Sequence, residues 1–332
     1  MARPRSGHVE NLKRELLVRL RQPFERPGAR FFSARVIAGR FDVSYQTADR
    51  LLRELAADGL LVRRAASGTY VPGRPSGYEG AELIFNPRAR HQQSFGAHLL
   101  EILRVDLERA GIRWCMRSGS RQNMHTDKTW FPVIWESSEA LAACVKAQRA
   151  ALIINDAAPA GLGSLYIDSV AMDDFGGGAM AADLLVRQVG TRARLAVFSG
   201  PESDHRSRER VRGFLARASA TVTPAPDWHV EGGLKVVGRI LRNRPQGVFC
   251  CNDRLAEAVV IWCQRKHMVC PWLVGFDDAP VAARLGLTTI AIPWSQLARA
   301  VITLVQRRVG QDVGPGTRQV LMPHPVVRWS VD

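Results

Sequence analysis

The chain has 332 residues, 46% of them apolar, and carries 46 Lys and Arg against 31 Asp and Glu, a formal net charge of +15 at pH 7. This length allows two domains, and the basic excess favours a polyanionic partner. No stretch reaches the roughly 18 consecutive apolar residues of a membrane span, and no apolar run follows the basic N-terminal residues as a secretory signal requires, so a cytoplasmic protein is expected.

Positive charge is concentrated at the N-terminus, where residues 1–78 carry 15 basic and 7 acidic side chains. Residues 8–21 place leucines at helical spacing and predict an amphipathic helix. Ser33 is expected to cap a short helix that runs to Arg40, and Ser44 is expected to cap the helix that follows. Two helices joined by a tight turn predict a helix-turn-helix, whose second helix would enter the major groove of DNA.

A hairpin with a basic edge is predicted over residues 60–71, where two β-prone runs flank a turn of small residues. Such an edge suits DNA phosphates or the minor groove. The side chains expected to contact DNA are Arg35, Ser44, Tyr45, Gln46, Thr47, Arg50, Arg63, Arg64, Ser67 and Gly68. The alternative is that these polar residues only form a solvated surface.

The segments FSAR, DVSYQTADRLLRELAADGLL and ASGTYV resemble, in this order, the winged-helix head of the GntR family of bacterial transcription regulators. The resemblance covers most of residues 1–74 and implies binding to double-stranded operator DNA. Tyr45 and Asp49 stand where that family often has arginines that contact bases. The resemblance therefore implies no particular operator sequence.

A segment rich in Pro and Gly separates the two parts of the chain, so we place a DNA-binding domain at 1–74, a linker at 75–81 and a larger domain at 82–332. Short apolar runs alternate with amphipathic stretches through the larger domain. This pattern predicts an α/β fold with parallel sheets and crossover helices, in which ligands bind beyond the carboxyl ends of strands. Asn252 ends the run GVFCC and is expected at such a site, whereas Asp253 is expected to cap the next helix.

The order and spacing of FCCND, VGFDD and TTI within residues 82–330 resemble the effector domain of the LacI/GalR family, which shares the periplasmic-binding-protein fold. The resemblance implies two lobes joined by three crossover strands around a cleft. It assigns residues 82 to about 164 and a segment near 291–315 to the first lobe. It assigns roughly 165–288 and the C-terminal strand to the second.

A sugar presents paired hydroxyls beside a partly apolar ring face, so its site needs carboxylates, an amide, an arginine and flat aromatic side chains. The positions to which the resemblance points supply this set, and a carbohydrate-like effector is expected. These positions are Asp168, Arg210, Trp228, Asn252, Asp277 and Trp294, with Phe95 from the unusual loop RARHQQSFG. Alternatives stay open: Asp277 as the cap of a turn, Arg210 as a surface charge and Trp294 as hinge packing.

The sequence therefore predicts a homodimeric transcription regulator, because paired heads bind a two-fold DNA site. The family resemblance implies that the regulator is a repressor that its effector releases. No enzyme, cofactor or metal site is expected: DDFGGGAM lacks the phosphate-loop lysine and the GxGxxG spacing, and the eight histidines form no HExxH. The six cysteines are expected to be reduced core thiols. Three alternatives remain: a DNA-binding protein whose cleft senses nothing, a solute-binding protein, and an enzyme.

Overall fold

The computed structural model describes residues 11–17, 29–57, 60–64, 67–71, 77–90, 94–118, 129–147, 149–156, 166–310 and 314–328. None of the helices in these ranges combines the length and apolar character that a membrane crossing requires.

The N-terminal part is a helix-turn-helix followed by a hairpin. Its elements are helix α1 (residues 11–17), helices α2 (Ala34–Arg40) and α3 (Tyr45–Ala57), and the antiparallel strands β1 (Val62–Arg64) and β2 (Gly68–Tyr70). The hydroxyl of Ser33 accepts from Val36 N at 3.3 Å and that of Ser44 accepts from Thr47 N at 3.1 Å, which confirms both predicted caps. Leucines of α1 and α3 pack with Ile37 of α2 in a small core.

A parallel sheet of six strands forms the first lobe. The strands are β3 (Gly80–Phe85), β4 (Trp114–Ser118), β5 (Trp130–Trp135), β6 (Ala151–Ile154), β7 (Ile167–Met172) and β13 (Arg318–Leu321), and they lie in the order β4-β3-β5-β6-β7-β13. A 3-10 turn, Pro87–Arg90, leads to α4 (Phe95–Arg109). Helices α4 and α12 (Trp294–Val309) cover one face, and α5 (Ser138–Lys146) covers the other.

The sheet of the second lobe also has six strands. They are β8 (Leu195–Ser199), β9 (Thr221–Pro224), β10 (Gly247–Cys250), β11 (Trp272–Asp277), β12 (Thr288–Ala291) and β14 (His324–Val326), in the order β9-β8-β10-β11-β12-β14, with only β14 antiparallel. Helices α6 (Asp174–Val189) and α7 (His205–Leu215) pack on one face. Helices α8 (Val230–Leu234), α9 (Val237–Leu241), α10 (Asp253–Arg265) and α11 (Pro280–Arg284) pack on the other.

The predicted α/β class with parallel sheets is confirmed, but the predicted lobe boundary near 164 is wrong. Strand β7, assigned to the second lobe, pairs with β6 and β13 in the first. A run of buried apolar residues has the same pattern in either sheet, so the sequence could not distinguish them. Within the described ranges the chain passes between the lobes three times, at Asp173, at residues 292–293 and at residues 322–323.

Candidate ligand-binding cleft

A cavity of about 270 Å³ lies between the lobes, where the carboxyl ends of strands from both sheets face each other. The first lobe contributes the ends of β5 and β6 and the first turns of α4 and α12. The second lobe contributes α7 and the segments that follow β10 and β11. This is the position at which open parallel sheets bind ligands.

Four residues of the cavity wall have a left-handed backbone that amino acids other than glycine rarely adopt. The φ angles are 51° at Glu136, 52° at Asn155, 103° at Asp277 and 53° at Asp278. Each such residue costs on the order of 1–3 kcal/mol, and strain of this kind concentrates at functional sites. Because all four end or directly follow a strand, the strain marks this edge of the two sheets as a candidate binding site.

Arg210 is held rigidly at the cavity by the second lobe. Its Nε donates to Asp174 Oδ1 at 2.7 Å, its Nη1 donates to the Cys251 carbonyl at 2.6 Å, and Asp277 Oδ1 lies 3.4 Å away. Burial alone would lower the pKa of Arg210, but the two aspartates raise it, so the charge persists. The residue is only 3% exposed and is not a surface charge. In the described part of the chain its Nη2 makes no hydrogen bond, so this donor can serve a ligand.

Two glycines allow α6 and α7 to approach closely enough to fix Arg210. A Cβ at Gly178 would collide with the carbonyl oxygen of Arg210, and a Cβ at Gly213 would collide with that of Phe175. Any side chain at either position would push the helices apart. The position of the guanidinium therefore depends on this helix contact as well as on its ion pairs.

Asp277 and Asn252 both line the cavity, but their side chains differ in charge and in hydrogen bonding. Burial raises the pKa of Asp277 to about 6 although Arg210 and Arg206 oppose the shift. This carboxylate is therefore a desolvated acceptor. Asn252 caps α10 by accepting from Leu255 N at 2.8 Å and donates through Nδ2 to the Trp228 carbonyl at 3.0 Å. Its side chain is thus committed to holding the cleft wall.

The predicted cap of α10 is corrected: Asn252 and not Asp253 caps this helix. Asp253 is fully buried and accepts from Thr289 Oγ1 at 2.6 Å and from Ala279 N at 2.7 Å. Burial raises its pKa well above the ordinary value for an aspartate. It fixes the segment that directly follows Asp277 at the end of β11.

Aromatic side chains form the apolar part of the wall. Phe95 stacks on Trp135 with ring centroids 6.0 Å apart at 15°, and it contacts Trp294 at 4.8 Å. Trp228 lines the second lobe, where its Nε1 donates to Asp204 Oδ2 at 2.9 Å. Trp294 also begins α12 directly after a connection between the lobes, so it lies both at the cavity and at a hinge.

Asp168 does not reach the cleft, and its predicted contact with an effector is wrong. The residue is fully buried near the amino end of β7, at the edge of the sheet away from the cavity. Both its oxygens accept from Arg308, at 2.7 and 2.9 Å. A carboxylate bound in this way has a structural role.

The sequence interpretation missed several cleft residues of the first lobe, chiefly Trp135, Glu136 and Asn155. Within the described chain, Trp135 Nε1 and Asn155 Oδ1 are buried without a hydrogen-bond partner. Glu136 and Asn155 each stand where an apolar run ends, in WFPVIWE and ALIIND, which is the pattern that identified Asn252. The same criterion would have found them.

The predicted DNA-contacting residues lie together on the N-terminal part. Most are exposed, while Thr47 and Gly68 are half-buried. The hairpin is tied to α3 because Arg63 Nη2 lies 2.8 Å from Asp49 Oδ1. Arg64 lies over the ring of Tyr70 at 4.8 Å, and Ser67 Oγ is 2.6 Å from the Tyr70 hydroxyl. The sequence interpretation missed Arg30, which is exposed and whose backbone forms an isolated antiparallel β-bridge with Tyr70 of this hairpin.

Residues 182–331 match the family described as periplasmic binding protein-like domain. Among curated proteins, the chain is 28% identical over 171 residues to the HTH-type transcriptional repressor PurR of Aliivibrio fischeri, covering 47% of this chain and 50% of the relative. It is 29% identical over 182 residues to the ribose operon repressor of Haemophilus influenzae, covering 50% and 54%. The chain thus spans about half the length of the curated relatives it matches.

Solved structures show the same fold over a larger part of the chain. The regulator in the "transcriptional regulator CelR-cellobiose complex" superposes with a TM-score of 0.65 at 20% identity, covering 90% of this chain and 94% of that one. A LacI family transcriptional regulator from Enterococcus faecalis V583, solved with bound ribose, gives 0.63 at 19% identity and covers 76% and 98%. The chain therefore matches a periplasmic binding protein-like domain over residues 182–331 and shares its fold with LacI family transcriptional regulators.

Proposed function

We propose that the protein is a sequence-specific DNA-binding transcription regulator, acting as a repressor, whose operator affinity is controlled by a small carbohydrate-like effector bound between the lobes. One observation carries the proposal. The same chain joins an exposed, arginine-rich helix-turn-helix to a cleft lined by aromatic rings, a buried arginine and a buried aspartate. The names of the matched repressors and the sugars bound in the similar structures support it.

The DNA-binding part is proposed to be a winged helix of the GntR type. Helix α3 would lie in the major groove, and the β1-β2 hairpin would lie against the neighbouring phosphates. The exposure of Arg35, Gln46, Arg50 and Arg64 supports this arrangement. Arg63 has a second role, because its ion pair with Asp49 fixes the hairpin against α3.

Control by an effector follows from the two-lobed architecture. A ligand that contacts Arg210 and Asp277 in one lobe and the aromatic wall in the other favours one lobe arrangement. In a homodimer this shift would change the spacing of two DNA-binding heads and hence the affinity for a two-fold site. Such a regulator catalyses no reaction and acts in the cytoplasm, where its operator lies.

The decisive experiment selects bound duplexes from a random DNA pool with the purified full-length protein. Binding to the selected duplex is then repeated with a panel of monosaccharides, disaccharides and sugar acids. We expect a two-fold-symmetric sequence whose affinity falls at least about tenfold with one compound, a coupling of about 1.4 kcal/mol. Failure to enrich any sequence at low salt, with folded protein, would overturn the proposal.

A DNA-binding protein with a cleft that senses nothing is the second candidate. It is favoured by one observation: Glu136 of the first lobe forms a direct ion pair with Arg206 of the second, at 2.5 Å. The same experiment separates the two candidates. An enriched operator whose affinity no compound changes would support the second.

A further inference from the structure

Glu136 forms ion pairs with arginines of both lobes. It follows β5 in the first lobe and has a left-handed backbone, and its carboxylate is bound by Arg88 of the same lobe. It also lies 2.5 Å from Nη2 of Arg206, which α7 of the second lobe supplies. Arg206 is held in turn by Asp204, at 3.0 Å through Nε and 2.7 Å through Nη2. These four side chains form a cluster of two positive and two negative charges.

The remaining charges of the cleft are matched in the same way. In the described chain, five arginines line the cavity and five carboxylates either line it or contact those arginines. The arginines are Arg88, Arg206, Arg210, Arg254 and Arg328, and the carboxylates are Glu136, Asp174, Asp204, Asp277 and Asp278. Asp253 is not counted, because its two oxygens are bound by Thr289 Oγ1 and Ala279 N within the second lobe, and burial raises its pKa well above the ordinary value.

Among these ten described residues, the positive and negative charges that face a ligand are equal in number. A carboxylate or phosphate group on the ligand would lose its hydration and would have to compete with Glu136 for arginines that are already paired. A hydroxyl group has no such penalty, because it can donate to a carboxylate and accept from a guanidinium without breaking their ion pair. The aromatic wall of Phe95 and Trp294 suits the apolar face of a ring.

We infer that the cleft selects neutral polyhydroxylated ligands over anionic ones, and that Glu136 determines this selectivity by occupying the position where a ligand's anionic group would meet Arg88 and Arg206. The inference rests on the proposed function for the identity of the site and narrows its ligand class. In this role the Glu136 carboxylate neutralises the arginines that would otherwise bind an anionic ligand.

The first test compares matched compounds by isothermal titration calorimetry on the full chain. The probes are glucose, glucuronate and glucose 6-phosphate, galactose and galacturonate, and ribose and ribose 5-phosphate. In the wild type we expect a neutral sugar to bind at least about tenfold more tightly than its anionic counterpart. In Glu136→Gln, which keeps the shape and an acceptor oxygen, this ratio should fall about tenfold or reverse, because one positive charge is no longer compensated.

The second test needs no knowledge of the effector. Inorganic phosphate should bind Glu136→Gln with an affinity at least about tenfold above that of the wild type, and the double variant Glu136→Gln with Arg206→Gln should lose this gain. Glu101→Gln, which removes an exposed carboxylate on α4, is the matched control and should behave as the wild type. Circular dichroism and the unfolding midpoint establish that each variant is folded.

The outcomes separate this inference from the proposed function. A wild type that prefers an anionic sugar, or a Glu136→Gln variant whose selectivity and phosphate affinity are unchanged, would overturn the role of Glu136 and leave a ligand-controlled regulator intact. Phosphate binding gained by Glu136→Gln while no sugar binds the wild type would support the charge argument and overturn the carbohydrate class in the proposed function.

Discussion

Arg308 and Asp168 form a buried, doubly hydrogen-bonded ion pair that connects residues 140 positions apart in sequence. Arg308 lies in the last turn of α12 and Asp168 lies near the start of β7. Thr317 N adds a third hydrogen bond to the carboxylate at 2.7 Å, just before β13. The pair therefore joins the helix that follows one inter-lobe connection to two adjacent strands of the first lobe.

Loss of Arg308 should strongly destabilise the protein. Arg308→Ala leaves the fully buried Asp168 without its counter-charge, and breaking a buried pair in this way costs about 3–5 kcal/mol. Urea unfolding followed by circular dichroism measures the change. The neighbouring exposed residue provides the control, and Arg307→Ala should cost no more than about 0.5 kcal/mol. Equal losses in the two variants would contradict a special role for the pair.

Asp277 should make the stability of the fold depend on pH between about 4 and 7. Its pKa rises from 3.8 to about 6 on folding, so the folded protein holds a proton that the unfolded chain has released. The stabilisation is complete below the unfolded value and is lost as pH rises through about 6. The loss is on the order of 2–3 kcal/mol.

Asp277→Asn removes this titration, so its unfolding free energy relative to the wild type should rise by that amount from pH 4 to pH 7. Urea unfolding at both pH values provides the measurement. Glu202→Gln, which removes an exposed carboxylate of the same lobe, is the control. A difference between Asp277→Asn and the wild type that stays constant with pH would refute the shifted pKa.

Trp135→Phe tests whether the ligand uses the indole N–H of the cleft. Because Trp135 Nε1 has no partner among the described residues, the variant loses no hydrogen bond within them, and the smaller buried ring should lower the free energy of unfolding by about 1–2 kcal/mol. The affinity for the sugar that controls DNA binding should fall about fivefold through the lost hydrogen bond. Calorimetry measures the affinity. Trp130→Phe, in the same strand, should leave it unchanged, and an unaltered affinity in Trp135→Phe would exclude this contact.

Arg35→Ala should weaken binding to the selected operator and lower the slope of log affinity against log salt by about 0.9, the contribution of one phosphate contact. The residue is exposed on α2, and we propose that it contacts a DNA phosphate. Fluorescence anisotropy from 50 to 200 mM salt measures the slope. Arg104→Ala removes a partly exposed arginine from α4 and should keep the wild-type slope. An identical slope in Arg35→Ala would argue against the contact.

The sequence predicts the class of fold and much of the second-lobe wall because both depend on local patterns. Asn252 and Asp277 end apolar runs, and in a parallel sheet the carboxyl ends of strands share one edge. Asp168 follows an apolar pair in LYID and gave the same signal, but it lies at the opposite end of its strand. Its partner Arg308 is too distant in sequence for any local pattern to reveal the pair.

The same strand-end pattern marks Glu136 and Asn155 in the first lobe, but the way in which they reach the cavity depends on backbone geometry. Glu136 and Asn155 themselves have a left-handed backbone, a conformation that a sequence usually indicates by a glycine, and neither residue is glycine. The pairing of Glu136 with Arg206 also requires the two lobes to be placed face to face. Sequence periodicity identifies each lobe's elements but carries no information on this placement.

The three connections between the lobes restrict how the cleft can open. Each is short, at Asp173 and at residues 292–293 and 322–323, and the last separates an edge strand of one sheet from an edge strand of the other. Neither lobe is therefore a continuous piece of chain, and a cut after Thr317 would remove a strand from both sheets at once. We expect short parallel connections of this kind to favour rotation of the lobes about one axis over sliding or separation. If so, the distances between different pairs of fluorophores placed across the mouth of the cleft should all change together as the cleft opens.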